Sequence, residues 1–452
     1  MAGKWRESTV GEIAAPVRNA LVGGPFGSNL VSRDYVEAGV PVIRGQNMGG
    51  RWVAGEFAYV TDAKANSLDA NLARPGDVVF TQRGTLGQVS VVPSAKFDRY
   101  LVSQSQMKLT VNRELADPLF IYYVFSTEEQ QDYIRQNAIQ TGVPHTNLGI
   151  LRGTPLPLPP LPEQRAIAHI LGKLDDKIEL NRRMNETLEA MARALFKSWF
   201  VDFDPVRAKA DGCDPGLPQP LADLFPDSLE DSELGEIPKG WGTHSLGDLL
   251  SLDKGLSYKG QFLTEHGVPM VNLGCFLGRG RFAEKAIKRY SGEYKPRHVV
   301  HPLDLVLANT DITQQREVIG SPALIPPRGD LSELIFSHHV FAARFHPGRE
   351  FWKTFVYFML LQDDFRARAA GFATGTTVLA LPRDAVLNVR FPAAPKALVT
   401  AFAEMTMPML EREWKSADES RTLAILRNTL LPKLISGELR VEDPARFIGG
   451  AD

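Results

Sequence analysis

Two kinds of hydrophobic pattern divide this chain. Short apolar stretches such as Val40-Pro-Val-Ile43 and Val78-Val-Phe80 follow Gly, Pro and Asp, which predicts buried strands entered from turns. From Pro162 the period lengthens. Ile167, Leu174, Asn181, Leu188 and Leu195 fall seven apart, and Leu171, Ile178, Asn185, Ala192 and Trp199 interleave with them. That alternating 4-and-3 spacing is a coiled-coil seam. Pro162 suits the first helical position, and Glu163 sits where the helix dipole favours negative charge. At 1.5 Å per residue, 162–199 makes a rod on the order of 55 Å long, too long to bury against one small domain.

A second seam is read at Leu398, Phe402, Met405, Met409, Arg412, Ser416, Glu419, Leu423, Leu426 and Leu430, ending at Ser436-Gly437, with Gly as the stop signal. Pro408 lies inside it and predicts a kink or a break. Both seams turn polar at their centres, a device that fixes register at some cost in stability. Because both polar patches are central, the pattern leaves parallel and antiparallel packing open.

The strand-rich segments repeat each other. Gly39-Val-Pro-Val-Ile-Arg44 returns as Gly267-Val-Pro-Met-Val-Asn272, and Arg74-Pro-Gly-Asp77 as His301-Pro-Leu-Asp304. Thr141-Gly142 returns as Thr374-Gly375, each copy then passing a Pro-punctuated segment into its long helix. Matched positions lie about 227 to 233 residues apart. A period of domain size means a duplicated module, not a solenoid.

Composition narrows the reading. The chain has 452 residues, 44% hydrophobic, with 51 Lys plus Arg against 53 Asp plus Glu, an ordinary globular balance that suggests two or three domains. Two cysteines are too few for a disulfide framework and point to a reducing compartment, the cytoplasm. No apolar run approaches the roughly 20 residues that span a bilayer, and the N-terminus lacks a secretory pattern, so membrane and secreted classes are set aside. Residues 204–240 are crowded with Pro, Gly and Asp, which predicts an extended acidic linker without a core.

Motifs for phosphate loops, dinucleotide turns, zinc proteases and serine hydrolases are missing, which argues against a motor, methyltransferase or hydrolase domain. Glu293-Tyr-Lys295 has the spacing of a nuclease arm without a well-placed Asp before it. His298, His301, His338 and His339 lack the Cys or carboxylate partners of a metal site. A stand-alone metal-dependent nuclease and a coiled-coil protein adaptor are the competing readings. What both copies do supply is planar hydrogen-bonding side chains beside turns: Arg44, Gln46 and Asn47, then Thr81, Gln82 and Arg83, and in the other copy Asn272, then Asn309, Thr310, Gln314, Gln315 and Arg316. Arg reads guanine bidentately and Asn or Gln reads adenine, each good pair contributing roughly 1–3 kcal/mol of discrimination. Asn29, Thr141, His145, Thr374 and Thr376 join them as candidate DNA contacts. A near-neutral chain offers few phosphate contacts, so weak binding alone and a need for basic partners are expected.

The stretches GPFGSNL (24–30), GVPVIRG, LPLPPLPEQRAIAHILGKLDDKIELNRR, FKSWFVDFDPVRAK, LFPDSLEDSELGEIPKGW and LLPKLISGELRV resemble, in order and over nearly the whole chain, the specificity (S) subunits of Type I restriction-modification enzymes. The second copy departs at AAPKALVTAF, where the family pattern has a PPLPEQRAI-type start. The resemblance implies an α+β chain of two similar mixed α/β target-recognition domains joined by two long helices packed as an antiparallel intramolecular coiled coil. It places the recognition domains at 1–155 and 241–392, helical spacers at 156–203 and 393–441, the acidic linker at 204–240 and a tail at 442–452. It further implies a non-catalytic subunit whose domains each read half of a bipartite double-stranded DNA site, the helices setting the gap and docking two methyltransferase (M) subunits. S-adenosylmethionine, ATP and Mg would then belong to M and to motor-nuclease (R) subunits, with no cofactor or metal in this chain.

Overall fold

A computed structural model describes residues 5–94, 96–140, 143–278, 280–311, 316–327, 331–375 and 378–447. Contacts divide the chain into two units, 1–181 with 418–452, and 182–417.

In the first unit the strands Arg6–Thr9 and Pro155–Leu158 pair antiparallel, Thr9 facing Pro155, so the segment between them starts and ends at one place. That segment holds an antiparallel sheet in the order Leu21–Gly23, Gln106–Leu109, Val78–Thr81, Val89–Val91. A second sheet runs Tyr35–Val36, Ala58–Val60, Val40–Ile43, Tyr100–Val102, Leu72–Ala73. Its one parallel pair sets Val42 opposite Leu101. The sequence explains the burial: Val40–Ile43 and Val78–Thr81 are covered on both faces, as uninterrupted apolar strands require. Helices Pro118–Phe125 and Glu128–Gln136 complete the layer, with the Phe80 and Phe125 rings 4.9 Å apart edge to face.

The second unit repeats this plan. Gly242–Ser245 pairs with Arg390–Ala393, and the first sheet runs Leu250–Lys254, Val340–Phe345, Leu305–Ala308, Pro322–Leu324. The second sheet runs Lys288–Tyr290, Leu263–Val271, Leu334–Phe336, Val299–Val300, again with one parallel pair, Met270 opposite Ile335. Helices Lys353–Leu360 and Asp363–Phe372 follow. The repeated Gly of GVP has a physical cause. Gly39 has φ +146° and a Cβ there would lie 2.2 Å from the Val60 carbonyl oxygen, while Gly267 has φ +158° with the Tyr290 oxygen at 2.5 Å. No side chain fits either site.

The long helices are Leu161–Phe200 and Lys396–Ser436. In the first unit Asp175 accepts from Arg427 at 2.7 Å, and the Asn181 amide donates to Glu419 at 3.0 Å and Ser420 at 3.2 Å. In the second, Asn185 donates to the Glu413 carbonyl at 3.3 Å, and the Phe196 and Phe402 rings lie 5.7 Å apart. Within each unit, numbers rise along one helix as they fall along the other, so the pair is antiparallel. The Asn181 and Asn185 layers are polar contacts across the pair, as the seam pattern suggested.

Three expectations are corrected. The second seam is right at Phe402, Met409, Ser416, Leu423 and Leu430, but its other row lies one residue further on, at Thr406, Glu413, Ser420 and Arg427. Met405 and Leu426, chosen for being apolar, are 40% and 44% exposed, whereas Thr406 and Ser416 are buried. The helix buries polar residues because their bonds are met: Thr406 donates to the Phe402 carbonyl at 2.8 Å, and Arg427 to Asp175. Apolar periodicity is blind to such positions.

Pro408 does not break the helix, which runs unbroken from Lys396 to Ser436. Pro408 and Glu404 are both exposed, so the carbonyl that the missing N–H leaves open lies on the solvent side of the helix, where water can reach it. The third correction is the linker. Residues 204–240 form helices Asp204–Ala210 and Gln219–Ala222 and a hairpin of Leu229–Ser232 with Gly235–Pro238. Few apolar side chains suffice, because Val206, Phe225 and Ile237, with Trp241 just beyond, join the core of Trp199, Phe200, Phe355 and Phe402. Lys209 donates to the Ala222 and Phe225 carbonyls, at 3.1 and 2.6 Å.

Each unit seats its sheet domain on the helices through an ionisable group. Arg51 ion-pairs with Asp176 and donates to the Gly172 carbonyl at 3.0 Å, while the Tyr123 hydroxyl donates to Asp175 at 2.7 Å. Burial above all, with the Asp175 charge beside it, drives the Tyr123 pKa upward. In the second unit burial pushes the Glu413 carboxyl up to about 7, Glu189 adding to the rise while Arg193 and Arg281 oppose it.

Two outcomes follow. Trp241→Ala should lower stability by about 3–5 kcal/mol in urea denaturation, where a residue beside a loose linker would show almost nothing. For Glu413, whose ordinary pKa is 4.5, the native state keeps a proton that the unfolded chain releases between pH 4.5 and about 7, so its contribution falls as pH rises through that window. Glu413→Gln should therefore melt higher than the parent at pH 8 by several degrees, with the gap closing towards pH 5.

Candidate nucleic-acid interface

In each unit, four segments are knotted by backbone hydrogen bonds at one end of the sheets. In the first, Gln82 N donates to the Ser105 carbonyl at 2.6 Å, Gly24 N to the Gln106 carbonyl at 2.9 Å, and Thr146 N to the Gln82 carbonyl at 2.9 Å. In the second, Asn309 N donates to the His339 carbonyl at 3.0 Å, Gly255 N to the Val340 carbonyl at 3.2 Å, and Leu381 N to the Asn309 carbonyl at 2.8 Å. Gln82 and Asn309 thus hold the same position, and so do the turns 103–106 and 337–340. Arg83 pairs with His145 as Thr310 pairs with Ala380.

The candidate residues gather around this knot but differ in freedom. Asn47 is 1% exposed; its amide donates to the Ala54 and Glu56 carbonyls at 3.0 and 2.9 Å, and its oxygen accepts from Arg44 N. Asn272 does the same work in the second unit, donating to the Ala286 carbonyl at 2.6 Å and accepting from Gly274 N at 2.9 Å. Both amides hold the turn after the repeated strand. Gln46 is exposed and donates to the Glu56 carbonyl at 3.2 Å; Arg44 is half-buried. Thr81 and Gln82 are buried, Thr81 donating to Gln88 at 3.1 Å, while Arg83 and Asn29 are exposed and His145 is half-buried. In the second unit Asn309 and Thr310 are buried, Thr374 and Arg316 exposed, and Arg316 donates to the Ala370 carbonyl at 2.5 Å. Thr141, Gln314, Gln315 and Thr376 lie outside the described residues.

Sequence reasoning weighed His338 and His339 only as metal ligands. Among the described residues no group of three or more His, Cys, Asp or Glu gathers as a metal site. The two imidazoles instead lie in the knot, ring centroids 3.9 Å apart, with Thr310 Oγ1 2.8 Å from His339 Nδ1. Burial, ahead of the neighbouring positive charges, holds both below the ordinary histidine pKa. Gln104 and Gln106 were also missed. They lie in the equivalent turn, where Gln104 donates to the Gly27 carbonyl at 2.7 Å and the buried Gln106 Nε2 finds no partner among the described residues. The signal that could have found them is their place after the parallel strand, in the turn whose counterpart carries the two histidines.

This architecture defines a class: duplicated α/β modules, each presenting a loop cluster at its sheet ends, built on an intramolecular antiparallel helix pair. Residues 27–190 match the Type I restriction modification DNA specificity domain. The chain is 23% identical over 397 residues to the Type I restriction enzyme MjaIX specificity subunit of Methanocaldococcus jannaschii, covering 85% of this chain and 82% of that one. It is 24% identical over 498 aligned positions to the HindI specificity subunit of Haemophilus influenzae, covering 96% and 99%. The crystal structure of a Type I S subunit from M. genitalium shares the fold at a TM-score of 0.59 and 16% identity, over 95% of this chain and 96% of that one. Over nearly its whole length the chain is similar to the specificity subunits of Type I restriction-modification systems.

Asn47→Ala and Asn272→Ala should each cost about 1–3 kcal/mol, because buried carbonyls lose their donors. Exposed Gln46→Ala should stay within about 0.5 kcal/mol. Urea denaturation of the three variants measures the contrast.

Proposed function

We propose that this chain is the DNA sequence-recognition subunit of a Type I restriction-modification complex, its recognition domains at 1–155 and 241–392 each reading one half of a bipartite site. The observation that carries this reading is the recurrence of one loop knot, Gln82 with Ser105 and Asn309 with His339, at the sheet ends of two like-folded units. Two copies of a reading surface suit two half-sites. The exposed members, Asn29, Gln46 and Arg83 in the first domain and Arg316 and Thr374 in the second, are the residues left available for base or phosphate contact. The buried ones, Asn47 and Asn272 above all, shape the loops that present them.

The helix pair acts as the spacer and docks two M subunits; R subunits join to restrict. Methylation then draws on S-adenosylmethionine in M, and cleavage with translocation on ATP and Mg in R. This chain supplies recognition and not catalysis. Among the described residues no helix is long and apolar enough to cross a membrane, and the working compartment is the cytoplasm, where the DNA lies.

Exchanging residues 1–155 for the equivalent domain of a relative tests modular reading. Mapping of methylated adenines should show one half of the motif replaced and the other unaltered, whereas a change in both halves would contradict it.

A further inference from the structure

The two reading surfaces are built alike but charged differently. Sheet register matches positions between them. Lys254 faces Phe341 as Gly23 faces Met107, and Lys288 faces Met270 as Ala58 faces Val42. The turn 337–340 sets His338 and His339 where 103–106 has Gln104 and Ser105. At these four positions the first domain is neutral and the second carries two lysines and two imidazoles, whereas the first domain has Arg44 and Arg83 where the second has Asn272 and Thr310.

These groups converge. Lys288 Nζ lies 3.5 Å from the Tyr258 hydroxyl and 5.9 Å from the ring centroid, and the Tyr258 ring lies 6.1 Å from that of His338. Lys254 and Lys288 are exposed, and neither forms an ion pair among the described residues. Beneath them sit polar atoms that find no partner there: His338 Nδ1, Asn309 Oδ1 and Ser337 Oγ. Two lysine ammonium groups gathered without a carboxylate repel one another, and an anion placed between them relieves this. Overall, 241–400 carries 19 basic and 14 acidic residues, against 14 of each in 1–150.

We propose that Lys254, Lys288 and His339, with Tyr258 as their aromatic support, form a phosphodiester-binding site by which the second recognition domain anchors the DNA backbone. This rests on the recognition function proposed above. Phosphate contacts fix the position of a protein on the duplex without specifying sequence.

The test uses the full chain assembled with its methyltransferase partner, and a duplex carrying the site that this complex methylates. Its affinity is measured between about 50 and 200 mM salt. Lys254→Ala with Lys288→Ala should flatten the log–log salt dependence by roughly two, about 0.9 for each phosphate contact removed, and leave the methylated motif unchanged. An unaltered slope in a variant that melts like the parent overturns the site. A changed motif overturns the phosphate assignment in favour of base reading. If the parent complex shows no preference for its site at all, the recognition function itself is refuted, a result distinct from either.

Discussion

Each unit depends on its stretch of the two long helices holding register along an antiparallel seam. A purely apolar seam would permit sliding by a heptad with little penalty, since Leu against Leu is much the same one turn further along. The polar layers remove that freedom. Asn181 with Glu419 and Ser420, Asn185 with the Glu413 carbonyl, and Arg427 with Asp175 each pair with one partner position, and a slip would bury them unmet at a cost of several kcal/mol in total.

The same logic extends into the domains. Arg51 reaches the Gly172 carbonyl and Asp176, and Tyr123 reaches Asp175, which also holds Arg427, so one carboxylate ties a sheet domain and both helices together in the first unit. The second unit uses a buried carboxyl, Glu413, beside Tyr357, Glu189, Arg193 and Arg281. Duplication has preserved the topology and let the chemistry of the seat diverge. The loop clusters show the same pattern, with a shared backbone knot and different side chains at matched positions. Loops on a rigid scaffold are free to vary as long as the scaffold keeps its own bonds.

Residues 204–240 show how little apolar surface orders a segment when a neighbouring core is already built. Val206, Phe225 and Ile237 have no core of their own but insert between aromatic side chains of the second unit. Composition alone counts only what a segment contributes and misses what it is offered.

Much of this was readable in advance. Heptad spacing fixed both rods to within a residue or two, and the paired GVP and Pro-x-Asp signals exposed the duplication, because strand burial and positive φ restrict side chains locally. Candidate residues could be placed at turns for the same reason: turn chemistry is local. Tertiary structure decided the rest. It set the direction of the helix pair, moved half of the second seam by one residue onto Thr406, Glu413, Ser420 and Arg427, folded the linker, and divided the candidates into those that hold loops, such as Asn47 and Asn272, and those left exposed, such as Gln46 and Arg83. The physical reason is common to all four: whether a polar side chain is buried or free depends on partners far away along the chain, and no local pattern records them.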